Sequence, residues 1–154
     1  MKLNDSKWLL ALGMVLLSWR ASENQPLQAQ EAETLVMVVN KANSAAVGMN
    51  LGTARKLVLG EMSDWHNGAK VIVVLTPPGS NERAAVLKKI CGMSEAAYTR
   101  YEMQAAFTGQ TAATVHEAAS DAVIKNAVKT NPGAVGFLHK SQVDESVQAV
   151  LELD

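Results

Sequence analysis

The sequence lacks the residue sets on which most catalytic and metal sites are built. Its single cysteine, Cys91, excludes a disulfide within the chain. Its three histidines (His66, His116 and His139) show no i, i+4 spacing and no neighbouring cysteine, so they do not predict a metal site. No Gly-x-Ser-x-Gly sequence surrounds Ser80, which argues against a serine hydrolase. We therefore expect neither an enzyme nor a resident cofactor or metal.

The chain also lacks an excess of charge of either sign. It has 14 basic and 15 acidic residues among 154, which gives a formal net charge of −1. No block of basic residues alternates with aromatic residues, so nucleic acid is not an expected partner. If this protein binds an anion, local geometry must supply the attraction, because the overall field does not.

No apolar run is long enough to span a membrane as a helix, which takes about 20 residues. The longest run, residues 8–19, follows a positively charged start and precedes a polar segment, a pattern typical of an export signal. We predict a signal peptide over residues 1–29, cleaved after Ala29, and one exported domain over residues 30–154. Charged residues close to the apolar run leave an uncleaved membrane anchor as the alternative.

The most informative segment is a predicted strand, turn and helix over residues 71–91. An apolar strand at 71–75 leads through Thr76-Pro77-Pro78-Gly79 into a helix that begins at Ser80. Such a junction leaves free backbone N–H groups at the positive end of a helix dipole, which suits a phosphate or another oxyanion. The alternative is that Ser80 is an ordinary helix N-cap and binds no ligand.

The rest of the chain reads as alternating strands and helices, which indicates an α/β layered fold. Strands are predicted at 34–40, 71–75, 134–138 and 146–151. Helices are predicted at 52–59, 80–91, 95–104 and 114–129, the last opened by a capping box at 114–117. Residues 107–110 are predicted to form a turn, and Trp65 to pack its loop onto the core.

Several short motifs occur in a fixed order over residues 34–152. They are Val39-Asn40-Lys41, Leu59-Gly60-Glu61, Trp65, the Asn67-Gly68 turn, Pro78-Gly79-Ser80, Cys91-Gly92-Met93-Ser94, Phe107-Thr108-Gly109 and the segment NPGAVGF that begins at Asn131. In this order they resemble the substrate-binding proteins of bacterial phosphate ABC transporters, of the type 2 periplasmic binding fold. Because full members have two lobes, the chain is similar to a half-size member.

The resemblance implies a three-layer α/β/α sandwich with a mixed central sheet, like one lobe of a type 2 periplasmic binding protein. It implies a periplasmic, non-enzymatic protein that binds phosphate or a related oxyanion for uptake or sensing. Its implied partners are the small anion, a membrane transporter or sensor protein, and a second copy if a homodimer rebuilds the two-lobed site.

In this family a Ser-Gly-Thr type turn at a helix N-terminus holds the phosphate. Gly79 and Ser80 match the start of that turn, whereas Asn81 and Glu82 depart from it. A carboxylate at Glu82 would repel a bound phosphate unless it points away or accepts a phosphate proton. The ligand-binding residues expected here are Gly79, Ser80, Asn81, Arg83 and Thr76.

Each of these residues has an expected role. Gly79 would allow close approach of the backbone, Ser80 would donate its hydroxyl and N–H, Asn81 its N–H, and Arg83 a charge-assisted contact. The alternative function is a ligand-free interaction or sensory module of the cell envelope, which an exposed face formed by Tyr98 and Tyr101 would favour.

Overall fold

The structure, a computed structural model, describes residues 33–110 and 113–154. The predicted signal peptide lies outside the described residues. The strands are β1 (Leu35–Asn40), β2 (Ile72–Leu75), β3 (Thr114–Glu117), β4 (Ala134–His139) and β5 (Val147–Leu153). The helices are α1 (Leu51–Val58), α2 (Asn81–Val86), which continues as a π-helical segment Leu87–Cys91, α3 (Glu95–Thr108) and α4 (Asp121–Thr130). Short 3-10 turns occupy Ser44–Ala46 and Lys140–Gln142.

The five strands form one mixed sheet in the order β3-β2-β4-β1-β5. Strand β2 is parallel to both β3 and β4, while β1 is antiparallel to β4 and β5. The carboxyl ends of β2, β3 and β4 therefore meet at one edge of the sheet. We call it the carboxyl edge, and in open α/β sheets it is where ligands bind.

Helices cover both faces of the sheet, as the alternation of side chains along β1 shows. Met37 and Val39 pack with buried residues of α1, α2 and α3, whereas Val36 and Val38 pack with Ile124 and other buried residues of α4. All six residues of β1 are buried because the strand lies inside the sheet and between helical layers. The predicted three-layer α/β/α sandwich with a mixed sheet is confirmed.

Gly133 and Gly136 permit close approach of neighbouring groups to the backbone. A Cβ added at Gly136 of β4 would lie 2.5 Å from Cγ2 of Ile124 and 3.2 Å from Cγ2 of Val128, so α4 packs directly on the backbone of that strand. A Cβ added at Gly133 would overlap the carbonyl oxygen of Lys70. Both positions lie in the NPGAVGF segment, and tight packing accounts for these two glycines.

The predicted helix over residues 114–129 is wrong at its start. Residues Thr114–Glu117 form β3, in parallel register with β2 from the pair Ile72–Thr114 to the pair Leu75–Glu117. The helix begins at Asp121, where Ser120 accepts a hydrogen bond from the N–H of Val123 at 3.4 Å. Pairing with β2 satisfies the backbone of 114–117, which a capping box would instead have used to open a helix.

Helix α3 is longer than predicted. It runs through Phe107 and Thr108 and ends at Gly109, whose φ of +68° closes the helix in a left-handed conformation. The turn predicted over 107–110 is therefore wrong for its first half.

Within residues 33–110 and 113–154, none of the helices is long and apolar enough to cross a membrane.

Candidate functional site

A tight turn joins β2 to α2 at the carboxyl edge. The N–H of Ser80 donates to the carbonyl oxygen of Pro77 at 3.2 Å, and Gly79 has a φ of +87°. A proline followed by a residue with positive φ is typical of the central pair of a type II turn, so Pro78 and Gly79 suit these positions. The Ser80 N–H, predicted from the sequence to donate to a ligand, is thus engaged within the turn in this structure.

The side chains of Thr76 and Ser80 meet across this turn. The Ser80 hydroxyl donates to Oγ1 of Thr76 at 2.7 Å, and Oγ of Ser80 accepts from the N–H of Arg83 at 3.2 Å. Ser80 therefore is the N-cap that its sequence position predicts. In this arrangement the oxygen of the Thr76 hydroxyl accepts from Ser80, and its proton is left to donate to another group.

The backbone around Gly79 and Asn81 is open to solvent. Both residues are exposed, and a Cβ added at Gly79 would meet no atom within 4 Å. Asn81 is the first residue of α2, and an N–H in the first turn of a helix has no intrahelical acceptor. An anion at this turn could thus approach the backbone amides from outside.

Arg83 lies beneath the turn with its side chain only 4% exposed. Its Nε donates to both carboxylate oxygens of Glu95, at 3.0 and 3.2 Å, and its Nη1 donates to the carbonyl oxygen of Thr76 at 3.3 Å. The guanidinium also stacks over the ring of Tyr98, 5.5 Å from its centroid. These contacts hold the cation rigidly under the turn that carries Ser80.

Not every donor of this guanidinium is used. Nη1 of Arg83 also lies 3.6 Å from Oε1 of Glu117, the last residue of β3. For Nη2 the structure shows no hydrogen-bond acceptor among the described residues. That nitrogen is the donor through which Arg83 could contact a ligand as the sequence predicted.

The surroundings of Arg83 are acidic. Burial raises the pKa of Glu102; the Arg83 charge opposes this shift, while the charges of Glu95 and Glu117 add to it. One guanidinium thus faces several carboxylates, so its charge is largely balanced before any ligand binds. An anion that still carries a proton fits this environment better than a fully ionised one, because its proton can be donated to a carboxylate.

A second polar cluster lies at the same edge, where β4 ends. Nδ1 of His139 is 2.7 Å from Oδ2 of Asp121, and the N–H of His139 donates to the same oxygen at 3.3 Å. Nε2 of His139 lies 3.9 Å from Oε1 of Glu82. The Glu82 carboxylate is thus directed towards His139. This orientation bears on the repulsion between Glu82 and a bound phosphate that the sequence led us to expect.

Sequence reasoning missed four residues of this edge: Glu95, Glu117, Asp121 and His139. Glu117 would have been found had residues 114–117 been read as a strand, because parallel strands end at one edge. His139 directly follows the predicted strand 134–138, so the same rule would have placed it there. No local signal links Arg83 to Glu95, which is twelve residues further along the chain.

Tyr98 and Tyr101 do not form the exposed face that would have favoured an interaction module. Tyr98 is 1% exposed and donates from its hydroxyl to the carbonyl oxygen of Val58 at 2.9 Å. Tyr101 is half-buried and donates to Oε1 of Glu61 at 3.2 Å. Both rings pack α3 onto the neighbouring loop and helix, so they do not form a docking surface.

The packing predicted for Trp65 is confirmed. Trp65 is buried and donates from Nε1 to the carbonyl oxygen of Gly133 at 2.9 Å, which fixes its loop to the start of β4. Cys91 is buried, and burial raises the pKa of its thiol to about 11.

In the parts of the chain that the structure describes, no group of three or more His, Cys, Asp or Glu side chains is placed to hold a metal ion.

Comparisons with known proteins give structural matches. No protein-family model and no curated protein match the sequence. An ABC-type phosphate transport receptor from Vibrio cholerae matches with a TM-score of 0.57 at 24% identity, over 76% of this chain and 45% of its own. PstS from Borrelia burgdorferi matches with a TM-score of 0.56 at 12% identity, over 76% and 46%.

A third match is a structure from Clostridium perfringens with bound phosphate, named for the substrate-binding protein of a phosphate ABC transporter. Its TM-score is 0.56 at 23% identity, over 76% of this chain and 44% of that one. At these identities the likeness establishes the fold, and at that level the predicted resemblance to phosphate-transporter binding proteins is confirmed. The chain spans less than half the length of each of these structures.

Proposed function

We propose that this protein is a non-enzymatic solute-binding domain that captures phosphate or a related oxyanion at the turn between β2 and α2. The observation that carries the proposal is the position of Arg83. A guanidinium that is 4% exposed is fixed beneath a helix-opening turn at the carboxyl edge, and its Nη2 has no acceptor among the described residues. A buried cation with a free donor next to open backbone amides is suited to an oxyanion.

All five predicted residues take part in anion binding in this proposal, but some of their roles are revised. Gly79 lets the anion approach the backbone, Asn81 donates its N–H, and Arg83 donates from Nη2. Thr76 donates its hydroxyl, while Ser80 holds that hydroxyl in place and caps α2. Capture is reversible and involves no chemistry.

The acidic surroundings indicate which anion is favoured. Glu95 and Glu117 already balance the Arg83 charge, so a fully ionised dianion would meet repulsion. Phosphate near neutral pH carries a proton that one of these carboxylates can accept, whereas sulfate has none. Among oxyanions of this size and shape, phosphate is therefore the one we expect.

The structural matches support the same proposal. One of them is named as a phosphate transport receptor and another has phosphate bound. Because the chain spans less than half of each, we propose that a second lobe closes over the ligand, supplied by a homodimer partner or by a membrane transporter or sensor protein.

We also propose that residues 1–29 direct export and that residues 30–154 act in the periplasm, which N-terminal sequencing of the secreted protein would test.

Isothermal titration of the purified protein with phosphate, followed by sulfate, tests the proposal. We expect saturable phosphate binding, weaker binding of sulfate, and a loss of about 1–3 kcal/mol in Ser80→Ala, because the Thr76 hydroxyl that donates to the charged ligand loses the partner that holds it in place. The matched control is Asn50→Ala, because Asn50 caps α1 through the N–H of Thr53 just as Ser80 caps α2. No heat up to about millimolar phosphate, which corresponds to about −4 kcal/mol of binding free energy, would contradict the proposal.

A second function is favoured by one observation on α3. Met103 and Phe107 are 55% and 90% exposed and lie four residues apart, on one face of the helix. This apolar face suits the alternative reading, a protein-interaction module of the cell envelope. A folded protein that binds no phosphate, and whose self-association in sedimentation is abolished by Phe107→Ser, would favour this function.

A further inference from the structure

His139 joins three elements at the carboxyl edge. It is the last residue of β4, and its imidazole lies between Asp121 in the first turn of α4 and Glu82 in the first turn of α2. Nδ1 is 2.7 Å from Oδ2 of Asp121, and Nε2 is 3.9 Å from Oε1 of Glu82. One ring nitrogen is thus fixed by a carboxylate, while the other faces the helix that opens at Ser80.

The charged groups that act on this imidazole are acidic. Burial on its own would lower the pKa of His139, but the hydrogen bond and charge of Asp121, together with the charges of Glu33 and Glu82, outweigh it and raise the pKa. Glu82 comes from α2, Asp121 from α4 and Glu33 from the segment before β1. The pKa of His139 therefore lies above its ordinary value of 6.5.

This charge matters for the turn because of Glu82, the second residue of α2 and two positions from Ser80. When His139 is protonated, the imidazolium stands between the carboxylates of Asp121 and Glu82 and compensates their charge. When it is neutral, the Glu82 carboxylate is left uncompensated in the first turn of the helix, where it opposes an incoming anion.

We infer that protonation of His139 controls the affinity of the β2–α2 turn for an oxyanion, through the charge of Glu82. The inference rests on the proposed function and adds its regulation. Below the pKa of His139, the imidazolium compensates the charge of the Glu82 carboxylate near the incoming anion. Above that pKa, the Glu82 carboxylate is uncompensated and repels the anion. Because the groups are partly exposed and screened, the effect on affinity is about three- to tenfold.

Phosphate binding to the full protein and two variants, measured by titration calorimetry at pH values of about 6 and about 8, tests this inference. Phosphate changes its own protonation over this range, so each variant is compared with the wild type at the same pH. His139→Gln should bind about three- to tenfold more weakly than wild type at the lower pH, and this difference should shrink at the higher one. Glu82→Gln should bind more tightly than wild type at the higher pH. The matched control is His66→Gln, at an exposed loop histidine, and it should follow the wild type at both.

The outcomes separate the inference from the function on which it rests. Wild-type binding with variant ratios that are the same at both pH values would overturn the role of His139 and leave the proposed function standing. No phosphate binding by the wild type at either pH would overturn both. If His139→Gln fails to fold, Glu82→Gln still decides the matter, because its partly exposed carboxylate can be neutralised without removing the imidazole.

Discussion

Arg83 donates from Nε to both carboxylate oxygens of Glu95, and this pair ties α2 to α3 beside the β2–α2 turn. The guanidinium is almost fully buried, whereas the Glu95 side chain keeps 30% of its surface exposed. With Nη1 bonded to the Thr76 carbonyl, the cation has a fixed orientation that does not depend on a ligand. A donor held in this way loses little conformational entropy when an anion binds.

Glu95→Gln should destabilise the protein by about 1–3 kcal/mol, because a hydrogen-bonded charge partner is removed from a buried guanidinium. Urea unfolding measures the change. The control is Glu152→Gln, which removes an exposed ion pair with Lys140 and should cost less stability than Glu95→Gln. Equal stability of Glu95→Gln and wild type would show that the buried pair does not order this region.

Gly136→Ala should destabilise the protein by about 1–3 kcal/mol, because the added methyl group would collide with Cγ2 of Ile124. In thermal or urea unfolding, the double variant Gly136→Ala with Ile124→Ala should lose less stability than the sum of the two single variants. Additive losses would mean that the two side chains do not compete for the same space.

Cys91 should resist thiol reagents in the folded protein. Its thiol is buried and its pKa is raised to about 11, so little thiolate exists at neutral or mildly alkaline pH. Labelling with a chromogenic disulfide should be slow in native buffer and rapid in urea. Equally fast labelling under both conditions would place the thiol at the surface, contrary to the packing of the π-helical segment.

His139 should make stability depend on pH. Because its pKa is raised in the folded state above the ordinary value of 6.5, the protonated imidazole adds stability below that value, and this is lost as the pH rises through the folded pKa. Urea unfolding of wild type and His139→Gln over a pH series should show a stability difference that shrinks with rising pH. A difference that grows with pH would reverse the sign of the assigned shift.

Much of the fold could be predicted because its strongest signals are local. Strands β1 and β4 are continuous apolar runs, as expected for strands buried on both faces. Asn50, Ser80 and Ser94 are N-caps in the structure, and each cap bond spans three residues of sequence. Most features that depend on neighbours in the chain could therefore be predicted, but the capping box at 114–117 and the turn at 107–110 are exceptions.

Strand β3 could not be predicted, because nothing in its own sequence stabilises it. None of its four residues is fully buried, and its backbone bonds go to β2, about forty residues earlier. The same residues fit a capping box, so local reasoning favoured a helix. Because β3 was not predicted, the sequence also did not place Glu117 at the carboxyl edge. The acidic surroundings of Arg83 were therefore not expected.

The position of the bound anion is the central claim, and backbone amide shifts in a phosphate titration of the isotope-labelled protein test it most directly. The largest saturable shifts should belong to the amides of Gly79, Asn81 and Glu82, with a matching shift of the Arg83 side-chain signal. Shifts that cluster elsewhere, or that grow linearly without saturation, would contradict binding at the β2–α2 turn.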